Sequence, residues 1–125
     1  MIGICSSMPI ADINGCKMYY EANGIGPDVV FIHGEDHGIE MFEQQVAHLC
    51  GNYRRVTYDR CGHGRSELPP YGYSLRNQML DLAGLLDHLK VRQAVIVAVA
   101  MATTIAASYA LEYPERVRGL VLASR

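Results

Sequence analysis

The chain has 125 residues, half of them hydrophobic and 19% charged, with a formal net charge of -2. That length gives one domain with a real core rather than two, and the slightly negative balance offers no basic face to nucleic acid or to an anionic membrane. No apolar run approaches the ~20 residues that a membrane span needs, and the first residues lack the positive segment and long apolar stretch of a signal peptide.

Patterned sequence begins at Met8, so residues 1–7 are expected to be a flexible extension and 8–125 the domain. The four cysteines, Cys5, Cys16, Cys50 and Cys61, form no C-x-x-C pair. Their irregular spacing reads as reduced thiols in a cytoplasmic setting rather than a disulfide framework.

In chain order, residues 8–22 read as a hairpin, because Asn14 and Gly15 suit a tight turn whose two central positions both need positive φ. Asp28 to Ile32 is a short continuous apolar run, the pattern of a strand buried on both faces. His33 to Gly38 is a loop. Ile39 to Cys50 reads as a helix with Met41, Phe42, Val46 and Leu49 on one face, stopped by Gly51.

Arg55 to Tyr58 is the next strand, and Asp59 to Ser66 a polar loop punctuated by Gly62 and Gly64. Ser74 caps a helix from Leu75 to about Leu89, with an apolar stripe of Leu75, Met79, Leu82, Leu86 and Leu89. Ala94 to Ala98 is a doubly buried strand, Met101 to Tyr113 a small-residue helix ended by Pro114, and Gly119 to Ala123 a last buried strand. Strands alternating with helices in this order predict an α/β fold with a mostly parallel sheet of about six strands and an N-terminal antiparallel hairpin.

Three segments in this order resemble the α/β-hydrolase superfamily, and within it the small esterase and enol-lactonase branch. His33 and Gly34 match its oxyanion loop. Asp59, Arg60, Cys61, Gly62, His63, Gly64, Arg65 and Ser66 match its polar loop after the fourth strand. Tyr109 to Leu122 match the helix and strand that follow the nucleophile elbow. The resemblance implies the strand order 1-2-4-3-5-6-7-8, of which this sequence supplies the first six, so strands seven and eight are expected to be missing. With them would go the acid and the His that follow the nucleophile in this family.

The elbow pattern is G-x-S-x-G. Here the flanks are Ala98 and Ala102, and the position of the serine is Ala100. Alanine brings neither a nucleophile nor a proton to give. Val99 and Thr103 also depart from the commonest residues, which points to long-standing loss rather than one substitution. A non-glycine residue at a strained elbow costs of order 1–3 kcal/mol, so either a relaxed turn or an elbow held only by packing is expected.

The resemblance assigns the oxyanion-like donors to the backbone N–H groups of Glu35 and Met101. His33, Gly34, Asp59, Arg60, Gly62, Gly64 and Ser66 then shape the loops, Asp59 and Arg60 bracing by hydrogen bonds and an ion pair. Cys61 beside His63 reads as loop filler before it reads as a nucleophile. Thr103 and Thr104 are expected to cap or pack the helix. His33, Asp36, His37 and His63 make a weak case for a metal, because their segments are loops. No cofactor is implied.

Three readings follow. One is an inactive hydrolase-like module that binds itself or another chain through the strand at Gly119, Leu120, Val121 and Leu122, whose apolar edge is a template for pairing. The second is half of a split ester or lactone hydrolase completed by another chain. The third is a cut gene product.

Overall fold

The computed structural model describes residues 9–35, 38–49 and 51–123. The expected N-terminal extension, Asp36, His37, Cys5 and Cys50 lie outside them. Six strands form one sheet in the order β1-β2-β4-β3-β5-β6: β1 (Ile10–Ile13), β2 (Cys16–Asn23), β3 (Asp28–Ile32), β4 (Arg54–Tyr58), β5 (Ala94–Val99) and β6 (Val117–Ala123). The β1/β2 and β2/β4 pairs are antiparallel and the other three pairs are parallel. This is the expected α/β-hydrolase arrangement for the first six strands.

The hairpin turn forms because Asn14 and Gly15 take φ of 52° and 85°, the left-handed values that match the strands' own twist. Along β3 the side chains alternate. Val30 and Ile32 join a large core with α2 (Leu75–His88) and α3 (Ala102–Glu112), while Val29 and Phe31 join a smaller one with Phe42. Two helices therefore cover one face of the sheet. Among the described residues, the other face carries α1 (Glu43–His48) and the turn before it, with Val95, Val97 and Val99 half-buried beneath. No helix among the described residues is long and apolar enough to cross a membrane.

Four expectations need correction. The stretch from Ile39 is not one helix: a 3-10 turn at Ile39–Phe42 precedes α1, and neither has a side-chain cap at its N-terminus. Phe42 alone of its expected face is fully buried. In α2, whose Ser74 cap accepts from the Asn77 N–H as expected, Leu75 is exposed and Leu85 takes a place in the core. The first helical turn is exposed or half-buried, so the buried stripe begins only at Met79. The last strand is not buried: β6 pairs only with β5 among the described strands, and Leu120, Val121 and Leu122 are 38%, 52% and 47% exposed.

The fourth correction concerns the cysteines. Cys16, the first residue of β2, is disulfide-bonded to Cys61 across 45 residues of sequence, with a Cα–Cα separation of 6.3 Å. Irregular spacing in sequence hides this pairing, since β2 runs antiparallel to β4 and brings its start beside the loop that follows β4.

Leu82 is wholly buried between sheet and helix. Leu82→Ala is expected to cost about 2–5 kcal/mol in chemical denaturation. Leu75→Ala, on the exposed first turn, is expected to stay within about 0.5 kcal/mol of wild type.

Candidate active-site region

The carboxyl ends of β3, β4 and β5 bring together the His33–Gly34 turn, the Asp59–Ser66 loop and the junction between β5 and α3. In open α/β sheets ligands bind at this end.

At the junction, Ala100 holds φ of 58°. The sharp turn is therefore kept and not relaxed, and packing and hydrogen bonds keep it. The Ala100 N–H donates to Ala123 O at 2.8 Å, which ties the turn to the end of β6. Its carbonyl accepts from both the N–H and the Oγ1 of Thr103, at 3.0 and 2.8 Å. Thr104 Oγ1 donates to Met101 O at 2.6 Å. Both threonines thus bond back to carbonyls three residues earlier, and neither gives α3 a side-chain cap.

Gly34 lies directly against this turn. A Cβ there would stand 3.2 Å from the Ala100 Cβ and 3.3 Å from Val99 O, so a larger residue would have to push the two backbones a few tenths of an ångström apart. Among the described residues, the N–H groups of Glu35 and Met101, the expected donor pair, are not among the hydrogen bonds that brace the loop and the turn. Met101 is half-buried and Glu35 exposed.

His33 is fully buried, and both of its ring nitrogens are occupied. The Arg60 N–H donates to Nε2 at 2.9 Å, which makes Nε2 the acceptor. Nδ1 therefore carries the proton and donates to Gly34 O at 2.7 Å. The ring shapes the loop and is not free to orient a ligand. Burial first, and then the charge of Arg60, pushes its pKa down to about 4.

The Arg60 guanidinium completes the brace. Its Nε donates to His33 O at 3.0 Å, Nη2 to Gly34 O at 3.1 Å and Nη1 to Gln78 Oε1 at 2.7 Å. Asp59 holds different backbone. Its Oδ1 accepts from the Ile39 N–H at 2.8 Å and its Oδ2 from the Arg65 N–H at 2.9 Å. The expected Asp59–Arg60 ion pair is not among the ion pairs of the described residues. Each side chain instead satisfies a different stretch of the chain.

Gly64, at φ of 51°, packs so closely on the Asp59 carboxylate that a Cβ would stand 2.4 Å from it. Ser66 Oγ donates to Asp59 O and accepts from the Tyr19 N–H at 2.9 Å. Gly62, also at positive φ, donates its N–H to Glu67 O. Cys61 is held in its disulfide and offers no thiol nucleophile in this state. The His33 and His63 rings stand 5.2 Å apart, but both ring nitrogens of His33 are already engaged in hydrogen bonds, and no group of three or more metal-ligating side chains occurs among the described residues.

One buried group is missed by reasoning from sequence. Asp81 is 3% exposed and accepts from Asn14 Nδ2 at 2.9 Å, linking α2 to the hairpin turn. Burial pushes its pKa up to about 6. Its place one helical turn beyond Asn77 is the one signal, but an acidic residue in an amphipathic helix reads first as solvent-facing.

His33 and Asp81 titrate with opposite consequences. His33 is lowered from 6.5, so the unfolded chain binds its proton more readily, and about 3 kcal/mol is lost as pH falls from 6.5 to 4. Asp81 is raised from 3.8, so about 3 kcal/mol is lost as pH rises from 3.8 to 6. The His33 ring resonances are expected to titrate near 4, not 6.5. Over pH 4–6 the two groups act in opposite directions on wild-type stability. Asp81→Asn should unmask the acid loss from His33.

Comparison with known proteins places this architecture. A family model described as alpha/beta hydrolase fold matches residues 27–125. The cis-3-alkyl-4-alkyloxetan-2-one decarboxylase of Shewanella oneidensis is 34% identical over 113 residues, which cover 87% of this chain and 36% of that protein. The bromoperoxidase of Bacillus anthracis superposes with a TM-score of 0.86 at 35% identity, covering 91% of this chain and 44% of the other. A serine-to-alanine mutant of the meta-cleavage product hydrolase from Pseudomonas fluorescens, complexed with acetates, superposes with a TM-score of 0.86 at 29% identity, covering 91% and 44%. The chain thus spans about two fifths of the length of these relatives. It belongs to the alpha/beta hydrolase family.

Proposed function

We propose that this chain is a hydrolase-like binding module that forms no covalent intermediate and that associates with itself or a partner through β6. The observation that carries this reading is Ala100. The left-handed turn, the glycine packed against it and the first turn of α3 are all present, but a methyl group stands at the tip. Ala100 cannot attack a carbonyl.

The N–H groups of Glu35 and Met101 supply the second half of the proposal. In this reading they form an oxyanion-like cradle that binds a carboxylate or polarises a carbonyl oxygen. His33, Gly34, Asp59, Arg60, Gly62, Gly64 and Ser66 hold the cradle's loops in place. The relative whose serine is replaced by alanine was solved complexed with acetates, which supports small carboxylates as the ligand class.

Association is supported by the apolar edge at Leu120, Val121 and Leu122. A strand with an open side exposes unpaired backbone groups, and a second copy would cover both these and the apolar surface. A cytoplasmic setting belongs to the same proposal.

A second reading, half of an ester or lactone hydrolase completed by another chain, is favoured by the share of the relatives that is spanned, 36% of the Shewanella protein. It would need a nucleophile or an activated water supplied from outside.

Light scattering on a size-exclusion column, with each fraction assayed on p-nitrophenyl acetate, tests the first reading. The expected result is a discrete dimer without turnover above the protein-free rate, converted to monomer by Val121→Lys. A monomeric wild-type chain contradicts the association, and turnover in the dimer contradicts the inactive site. Turnover that appears only on mixing with another hydrolase chain would favour the second reading.

A further inference from the structure

The Cys16–Cys61 pair lies at a mechanical junction. Cys61 directly follows Arg60, whose N–H and guanidinium hold His33 and Gly34. Cys16 begins β2, which is anchored in the sheet by its pairings with β1 and β4. The bond therefore fixes the gripping end of the Asp59–Ser66 loop to the rigid sheet.

The far end of that loop has its own ties. The Glu67 N–H donates to Lys17 O at 2.8 Å, the Lys17 N–H to Glu67 Oε1 at 2.9 Å, and the Tyr19 N–H to Ser66 Oγ. Breaking the disulfide would remove the covalent tie at the Arg60 end, where the Asp59 N–H still donates to Tyr19 O at 3.0 Å, and leave the Ser66 end attached.

The surroundings suit both redox states. Glu67 O lies 3.8 Å from Cys16 Sγ and 3.9 Å from Cys61 Sγ, an acceptor ready for the weak S–H donors of a reduced pair. Both cysteines are at least 95% buried, yet both line a cleft of about 610 Å³ with Pro69, Tyr71 and Asp81. A small thiol has a route to the sulfurs, whereas a protein oxidoreductase is held at the surface.

We propose that Cys16 and Cys61 are a reversible redox site, served by small thiols through this cleft, that sets how tightly the Asp59–Ser66 loop grips His33 and Gly34. In the reducing direction a glutathione thiolate attacks one sulfur and forms a mixed disulfide. A second glutathione thiolate displaces the cysteine, giving oxidised glutathione. Two electrons pass to the pair, and each departing cysteine sulfur takes a proton. Oxidation is the reverse, with oxidised glutathione as the electron acceptor. Such exchange suits a cytoplasmic setting, where structural disulfides are rare but redox-responsive ones occur.

The test equilibrates the whole chain across ratios of reduced to oxidised glutathione, traps free thiols with iodoacetamide, and maps the linked peptides by mass. Amide hydrogen exchange is read in parallel. The expected result is a Cys16–Cys61 link that opens and closes with the ratio. On opening, exchange at Arg60 and His63 should rise by about tenfold or more, while the β3 and β5 amides stay within about twofold. Cys16→Ser should fix the open pattern and abolish the response. Reduced wild-type protein supplies the same comparison should that variant fail to fold. A pair alkylated at every ratio overturns the proposal. So does opening that leaves loop exchange unchanged, or that raises exchange equally throughout the sheet, which would make the bond a global staple only. None of these readings depends on carboxylate binding at Glu35 and Met101.

Discussion

Arg60 grips the two carbonyls of the His33–Gly34 turn, and the candidate site's backbone positions depend on that grip. Its side chain is 4% exposed and meets oxygen acceptors at all three of its donor nitrogens. A buried guanidinium with acceptors left unmatched would be costly, and buried carbonyls without donors equally so. Each group is the condition for burying the other. The same residue's N–H fixes the His33 tautomer, so His33 stays neutral and beside the cation. A charged imidazole there would face Arg60 with no carboxylate between them.

With that turn fixed, Gly34 packs against Ala100, whose left-handed conformation persists with only a methyl side chain. A strained residue survives only where its neighbours over-determine it. Here they include the Ala123 carbonyl, the Thr103 N–H and hydroxyl, and the glycine contact. The turn's geometry therefore stands with a methyl group at its tip. Ligand binding and bond breaking are separable in such a site, because the backbone donors belong to the scaffold and the attacking group to one side chain.

Much of this was legible from local chemistry. Asn14 and Gly15 required their turn, Ser74 capped α2, and the apolar runs at Val29–Ile32 and Ala94–Ala98 became the central strands. Ala100 stood out because the residues around it still described an elbow. What sequence concealed was long-range. Whether Arg60 meets Asp59 or the carbonyls of His33 and Gly34 is decided by β3 lying beside β4, not by adjacency in sequence. The Cys16–Cys61 bond depends on the antiparallel course of β2, and the exposure of Leu75 on where α2 sits over the sheet. Apolar composition alone made β6 read as buried. Burial requires a neighbour, and β5 is its one strand partner among those described.

The central claim is that the cradle persists at Glu35 and Met101 although the tip of the turn is inert. An amide-resolved NMR titration of the chain with sodium acetate measures this most directly. The account predicts saturable shifts concentrated at the Glu35 and Met101 amides, with Ala100 and Gly34 moving less. Shifts scattered over exposed cationic residues such as Lys90 and Arg92, or no saturable shift at Glu35 and Met101, would contradict it.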